Sequence, residues 1–176
     1  IELNEIKKLL KTENLFDTIN NLLLENKKLS KVQSKFLDNK NKIIKDTLLK
    51  NMKQKNKFNL LISQCKIDSM DSLKKISYEI KNQINNLILV LAADISNKPF
   101  IIVMIDDKVN KLINIDAREI ILKLAKHING SGGGQSFFST AGGKNLSGLK
   151  NVINEANQIF NKIIISSVIS RSFLPT

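Results

Sequence analysis

The sequence predicts an α+β protein in which a long N-terminal helical segment, or a helical hairpin, precedes a small domain with a short sheet covered by helices. Residues 1–57 are rich in Lys, Leu, Glu and Asn, with apolar positions three, four and seven apart, which is typical of helix. From residue 58 onward, short apolar runs alternate with amphipathic patterns. We therefore divide the chain into a helical or coiled-coil segment at 1–57, a globular domain at 58–162 and a C-terminal extension at 163–176.

The helical segment carries apolar residues at a seven-residue period, the mark of a coiled-coil seam. These are Leu15, Leu22, Leu29, Phe36 and Ile43. The companion positions are apolar only at Ile19, so a long two-stranded coil would be weakly held. Two arrangements stay open: a coil formed with a second copy of the chain, and a hairpin of antiparallel helices bent at residues 38–41. Residues 12–14 are expected to end a short first helix.

The globular domain should begin with three strands, at residues 58–63, 87–93 and 100–105. The last two are continuously apolar, which predicts that both of their faces are covered. An amphipathic pattern with Leu73, Ile76 and Ile80 between the first two strands predicts a β-α-β crossover. Residues 94–99 are short enough for a hairpin between the second and third strands.

Two helices should follow the strands. Asp116 and Glu119 form a capping-box pattern, which predicts a helix that starts at residue 117. A final long helix should begin near Ser147. Its inward-facing side chains are expected to be Leu149, Val152, Ile153, Ala156 and Phe160.

The net charge of +12, from 28 Lys and Arg against 16 Asp and Glu, favours an anionic partner, most commonly nucleic acid. The basic residues are 26 Lys and only 2 Arg, beside 26 Ile and 22 Asn, so an A/T-rich genome accounts for part of the charge. Lysine supports binding that is sensitive to salt and blind to sequence. Lys28, Lys31 and Lys35 share one helical face, with Lys42 and Lys45. That face either contacts phosphates or is simply solvated.

Nothing in the sequence predicts a catalytic or metal site in this chain. Cys65 and His127 are the single cysteine and histidine, too few to form a metal cluster or a triad. We expect Cys65 to be a small buried side chain and His127 to lie at or near the surface. A lone cysteine favours a reducing, cytoplasmic compartment, and the longest apolar run, at 87–93, is far short of the ~20 residues of a membrane helix. The chain begins with Ile, which suggests a piece of a longer protein.

All seven glycines fall between Gly130 and Gly148, and six of them lie in residues 130–143. Such a loop can form a nest of backbone N–H groups that binds an anion, with Lys144 supplying charge and the following helix its positive end. The alternative is a tight structural crossover between helix, strand and helix. If the φ of Gly133 is positive, valine at this position should disrupt the loop. The P-loop and dinucleotide-binding patterns do not fit the spacing.

The glycine segment and the order of elements together resemble the C-terminal region of alanyl-tRNA synthetases, which ends in a DHHA1-family domain. In that family a glycine run, a few residues and then Ala-Gly-Gly precede the last long helix. The matching stretch here is Gly130 to Gly134 followed by Ala141-Gly142-Gly143. The same domain occurs in DHH phosphoesterases, where a histidine commonly follows the glycine run. Gln135 occupies that place here, which favours the synthetase.

The resemblance implies a tRNA-binding and assembly module of an alanine-tRNA ligase that contacts the outer corner of an alanine-specific tRNA. ATP and zinc are implied only for the catalytic and editing domains of the parent enzyme. A homodimer through the helical segment is also implied. The alternatives are the substrate-binding half of a DHH-type phosphoesterase and a purely structural dimerisation element. The candidate nucleic-acid-binding residues are Gly130, Gly132, Gly133, Gly134, Gln135, Gly142, Gly143, Lys144, Lys150, Lys28, Lys31 and Lys35.

Overall fold

The computed structural model describes the backbone of residues 2–172 and the side chains of residues 3–166. The chain divides into two compact units, Ile1–Lys42 and Ile43–Thr176. No helix in the part of the chain described by the structure is both long and apolar enough to cross a membrane.

The first unit holds α1 (Glu2–Leu10) and most of α2 (Leu15–Lys50). The predicted break at residues 12–14 is confirmed. The hydroxyl of Thr12 accepts a hydrogen bond from the amide of Asn14 at 3.1 Å, and the side-chain oxygen of Asn14 accepts one from the amide of Asp17 at 3.3 Å. These bonds satisfy amides that the first turn of α2 leaves without helical partners.

The hairpin bent at residues 38–41, one of the two predicted arrangements of the helical segment, is not formed. Helix α2 runs without interruption through residues 38–41, because that stretch contains neither Gly nor Pro and nothing else that ends a helix. The helix ends earlier than the predicted boundary at 57. Residues Lys53–Lys55 form β1, which pairs with the next strand across a two-residue turn. Asn56 adopts the left-handed conformation in that turn, as Asn readily does.

The second unit is built on a six-stranded sheet in which β1 is followed along the chain by β2 (Phe58–Lys66), β3 (Leu87–Ile95), β4 (Lys98–Ile105), β5 (Ser131–Gln135) and β6 (Phe138–Gly142). The strands lie in the order β1-β2-β3-β4-β6-β5. Strands β2 and β3 are parallel and joined by α3 (Met70–Gln83), so the predicted crossover is confirmed, and all other pairs are antiparallel. The predicted hairpin at 94–99 is also confirmed, with Ser96 and Asn97 at its turn.

Helices cover both faces of the central strands, as their continuous apolar runs predict. On one face the odd-numbered residues of β3 pack with α3 and with the last turns of α2. On the other face the even-numbered residues of β3 pack with α4 (Asp107–Ile113), α5 (Ala117–Ala125) and α6 (Leu149–Ser172). The sheet is therefore the middle of three layers.

Two aspartates begin helices on the second face. Asp116 caps α5 as predicted: its carboxylate accepts the Arg118 amide at 2.8 Å, and the hydrogen-bonded Arg118 guanidinium lowers the pKa of this carboxyl. Asp106 caps α4, a helix that the sequence analysis did not predict. The same carboxylate also accepts the Asn86 amide at 3.0 Å.

The final helix, α6, begins at Leu149, close to the predicted start. Four of its predicted inward-facing side chains are buried, and Ile153 is half-buried. Residues 163–172 of the predicted extension continue α6, while 173–176 lie outside the described residues.

Cys65 lies half-buried on β2, on the α3 side of the sheet. Burial raises the pKa of its thiol from 9.0 to about 11. Because the thiolate is the reactive form, we expect iodoacetamide to alkylate Cys65 about a hundredfold more slowly in the folded chain than in the urea-unfolded chain at pH 8. Mass spectrometry of timed samples measures both rates. Equal rates would contradict this environment.

Candidate nucleic-acid interface

The glycine-rich segment is a β-hairpin at one edge of the sheet. Strands β5 and β6 pair from Ser131 opposite Gly142 to Gln135 opposite Phe138. Of the two interpretations of this segment, the anion-binding nest required a loop, whereas the segment is two paired strands. The amides of Gly143, Lys144 and Asn145 donate to the carbonyls of Pro99 and Ile128 at 2.8–3.0 Å. Those donors are therefore used within the fold.

Close backbone packing explains most of the glycines. A Cβ added at Gly130 would lie 2.1 Å from the carbonyl oxygen of Gly142, and one added at Gly132 would lie 2.5 Å from the carbonyl oxygen of Thr140. A Cβ added at Gly143 would lie 2.2 Å from the carbonyl oxygen of Ile128. Gly134 has a φ of 150°, which disfavours any side chain. The alternative interpretation, a tight crossover between helix, strand and helix, accounts for these positions.

Gly133 differs from its neighbours in the hairpin. Among the described residues, the glycine with a positive φ is Gly134. The prediction that valine at Gly133 disrupts the loop required a positive φ at Gly133, and that condition is not met. A Cβ at Gly133 would meet no atom within 4 Å. Gly133 faces open space, and neither packing nor backbone conformation requires a glycine there.

The predicted basic side chains are exposed, but they fall into two groups. Lys144 follows β6, and Lys150 lies in the first turn of α6, with Gln135 exposed at the end of β5. Lys28, Lys31 and Lys35 are exposed on α2, in the first unit. The structure thus brings Lys144 and the hairpin glycines into one region of the second unit, while the α2 lysines belong to the other unit.

The lysine face of α2 is shorter than predicted. The ammonium group of Lys45 donates to Glu79 of α3 at 2.8 Å and is half-buried. The strip available to a ligand therefore consists of Lys28, Lys31, Lys35 and Lys42, all exposed.

A basic groove that sequence reasoning missed lies beside β1. It has a volume of about 410 Å³, and its walls include Lys50, Lys53, Ile153 and Asn157. The many lysines of residues 27–57 predict positive charge in this part of the chain. The sequence does not show that β1 pairs with β2 beneath α6, and it is this pairing that places these lysines and residues of α6 around the same groove.

Within the described residues, no group of three or more His, Cys, Asp or Glu side chains could hold a metal ion. His127 is half-buried, and its ring pairs with the carboxylate of Glu155 on α6. The expectation of a surface or partly buried His127 is confirmed. This contact ties the 3-10 turn Lys126–Ile128 to the last helix.

Residues 57–162 match the DHHA1 domain family. The chain belongs to this family. Alanine–tRNA ligase of Cytophaga hutchinsonii is 34% identical over 158 residues, which are 89% of this chain and 18% of that ligase. The ligase of Christiangramia forsetii is 34% identical over 155 residues, covering 88% of this chain and 18% of the ligase. This DHHA1 chain thus spans less than a fifth of the curated relatives it matches.

The fold of the DHHA1 chain is also that of a solved structure. The C-Ala domain from Aquifex aeolicus alanyl-tRNA synthetase aligns with a TM-score of 0.52 at 17% identity, over 64% of this chain and 96% of that domain. The resemblance to the C-terminal region of alanyl-tRNA synthetases is confirmed by these comparisons.

Proposed function

We propose that this chain is the C-terminal tRNA-binding and assembly module of an alanine-tRNA ligase. It contacts the outer corner of tRNA and supports aminoacylation and editing by other domains. The observation that carries the proposal is the 34% identity to alanine-tRNA ligases over 158 residues. That match includes much of the helical segment as well as the DHHA1 domain, because it covers 89% of the chain.

The charge distribution supports a nucleic-acid ligand. The chain has a net charge of +12, and the side chains of Lys28, Lys31 and Lys35 are exposed on one face of α2. Each ammonium group that neutralises a phosphate releases a condensed counterion, which favours binding at low salt. Lysines carry no planar fork for reading base edges, so this contact supplies affinity and leaves sequence discrimination to other groups.

Assembly is the second part of the proposal, and the occupant of the α2 seam is a second copy of this chain. Leu22, Leu29 and Phe36 stand seven residues apart, with exposed fractions of 48%, 64% and 67%. A seven-residue apolar repeat is the pattern by which helices pair through knobs-into-holes packing. Burying such side chains between two helices would remove apolar surface from water.

In this proposal, ATP and zinc serve the aminoacylation and editing domains, and this chain contributes affinity and orientation. The alternative of a phosphoesterase half is less well supported, because the curated relatives reported above are alanine-tRNA ligases. The alternative of a structural element alone predicts no nucleic-acid binding at all.

Sedimentation velocity with and without an alanine tRNA transcript tests the proposal. We expect a complex that sediments faster than either component in dilute buffer, and a dimer of the chain by itself. Unchanged boundaries for both tRNA and chain would contradict tRNA binding. A complex with dinucleotides but none with tRNA would favour the phosphoesterase alternative.

A further inference from the structure

An aromatic surface lies on the α3 side of the sheet, on the neighbouring strands β4, β6 and β5. Opposite residues of antiparallel strands share a face. Phe100, opposite Gly142, and Phe138, opposite Gln135, therefore lie on the face that also carries Thr140 and Gly133. Both phenylalanines are half-buried, which leaves part of each side chain open to solvent.

Helix α3 adds a third ring to this surface. Tyr78 is 43% exposed, and its ring stacks on Phe138 with centroids 5.4 Å apart and an angle of 26° between the planes. Phe100 lies against the strand backbone, since a Cβ at Gly142 would stand 3.1 Å from its ring. The rings are thus held in place by packing before any ligand arrives.

At Gly133, strand β5 carries no side chain on the face that holds these rings. Gly133 is exposed and opposite Thr140, and an added Cβ would meet nothing within 4 Å. The surface beside Thr140, diagonally across from Phe138, therefore has open space into which a flat group could extend.

Positive charge surrounds the aromatic surface. Lys74 and Lys81 lie one helical turn on either side of Tyr78, and Lys98 precedes Phe100 by two residues on the same face of β4. The ammonium group of Lys81 stands 5.3 Å from the ring centroid of Phe137 and 3.7 Å from the carboxylate of Asp107. A purely apolar partner would leave these lysines unused.

We propose that Tyr78, Phe100 and Phe138, with Gly133 beside them, form a stacking platform for unpaired RNA bases, while Lys74, Lys81 and Lys98 contact the phosphates. Bases stack on aromatic side chains regardless of sequence, and basic side chains follow the backbone. The platform rests on the proposed function and refines it: the α2 lysines bind phosphates, whereas this face of the DHHA1 domain binds bases that are not paired.

Fluorescence anisotropy of the whole chain with two labelled probes tests the platform. One probe is a single-stranded oligouridylate, and the other is a blunt RNA duplex with the same number of nucleotides. Tyr78→Ala should weaken binding of the single strand about tenfold, because one stacking surface is lost, whereas Tyr78→Phe should retain it. Gly133→Val should also weaken it, because a branched side chain would then fill the open space diagonally across from Phe138. Neither change should alter duplex binding by more than about twofold, because phosphate contacts dominate that complex.

Leu122→Ala is the matched control, since Leu122 is 53% exposed on α5, on the other side of the sheet. It should bind both probes as the unmodified chain does. Circular dichroism of every variant confirms folding. The platform is overturned if the unmodified chain does not bind the single strand, or if Tyr78→Ala and Gly133→Val bind it normally. A normal tRNA complex in those cases would leave the proposed function standing, and release of the probe by an apolar peptide would assign the surface to a protein partner instead.

Discussion

Gly143→Ala should destabilise the DHHA1 domain by about 3 kcal/mol or more, because the added methyl group overpacks a fixed backbone contact. Its Cβ would stand 2.2 Å from the carbonyl oxygen of Ile128, which itself accepts the amides of Lys144 and Asn145. The carbonyl cannot move away without breaking those hydrogen bonds. Urea unfolding followed by circular dichroism measures the loss as a lower midpoint with an unchanged slope.

Gly133→Ala is the control for this experiment, because it makes the same chemical change in the same hairpin. No atom lies within 4 Å of the added Cβ. We expect the free energy of unfolding to change by less than about 1 kcal/mol, since glycine gains no advantage from its flexibility at this position. Equal losses at Gly143 and Gly133 would contradict the packing account of the hairpin.

Replacing Lys28, Lys31 and Lys35 together with glutamate should weaken tRNA binding by about a hundredfold or more at low salt. Each substitution removes a positive charge and adds a negative one, so the net charge of +12 falls by 6 to +6. If all three ammonium groups contact phosphates, the slope of log K against log salt should also flatten by about 3. Filter binding over a range of salt concentrations measures both quantities.

A second triple variant separates a specific contact from general charge. Lys108, Lys111 and Lys123 are exposed on α4 and α5, and their replacement with glutamate changes the net charge by the same amount. We expect this variant to bind tRNA severalfold more weakly and to keep most of the salt slope. If the two variants lost similar tRNA affinity, the loss would be due to net charge, and Lys28, Lys31 and Lys35 would not contact the tRNA.

Local patterns predicted the elements whose stability comes from their own periodicity. The apolar runs of β3 and β4, the cap at Asp116 and the inward-facing residues of α6 each follow from a few neighbouring residues. The continuous apolar runs of β3 and β4 present apolar side chains to both faces of the sheet, so hydrophobicity alone identifies these two strands.

Elements set by distant partners were less accessible from the sequence. Strand β1 consists of lysine and glutamine, which do not predict a strand, and it forms because it pairs with the edge of β2. The glycine segment reads as a loop because its composition has no strand preference, yet its glycines fit the carbonyls of Thr140, Gly142 and Ile128. Likewise, the contact between Tyr78 and Phe138 depends on where α3 crosses the sheet, which no local pattern records.

Whether this DHHA1 chain binds tRNA is measured by an equilibrium titration of an alanine tRNA transcript with the unmodified chain at a series of salt concentrations. We expect binding in dilute buffer, with an association constant whose logarithm falls linearly as the logarithm of the salt concentration rises, with a slope of at least about 3 in magnitude. Failure to bind tRNA in dilute buffer, or an affinity that does not change with salt, would contradict it.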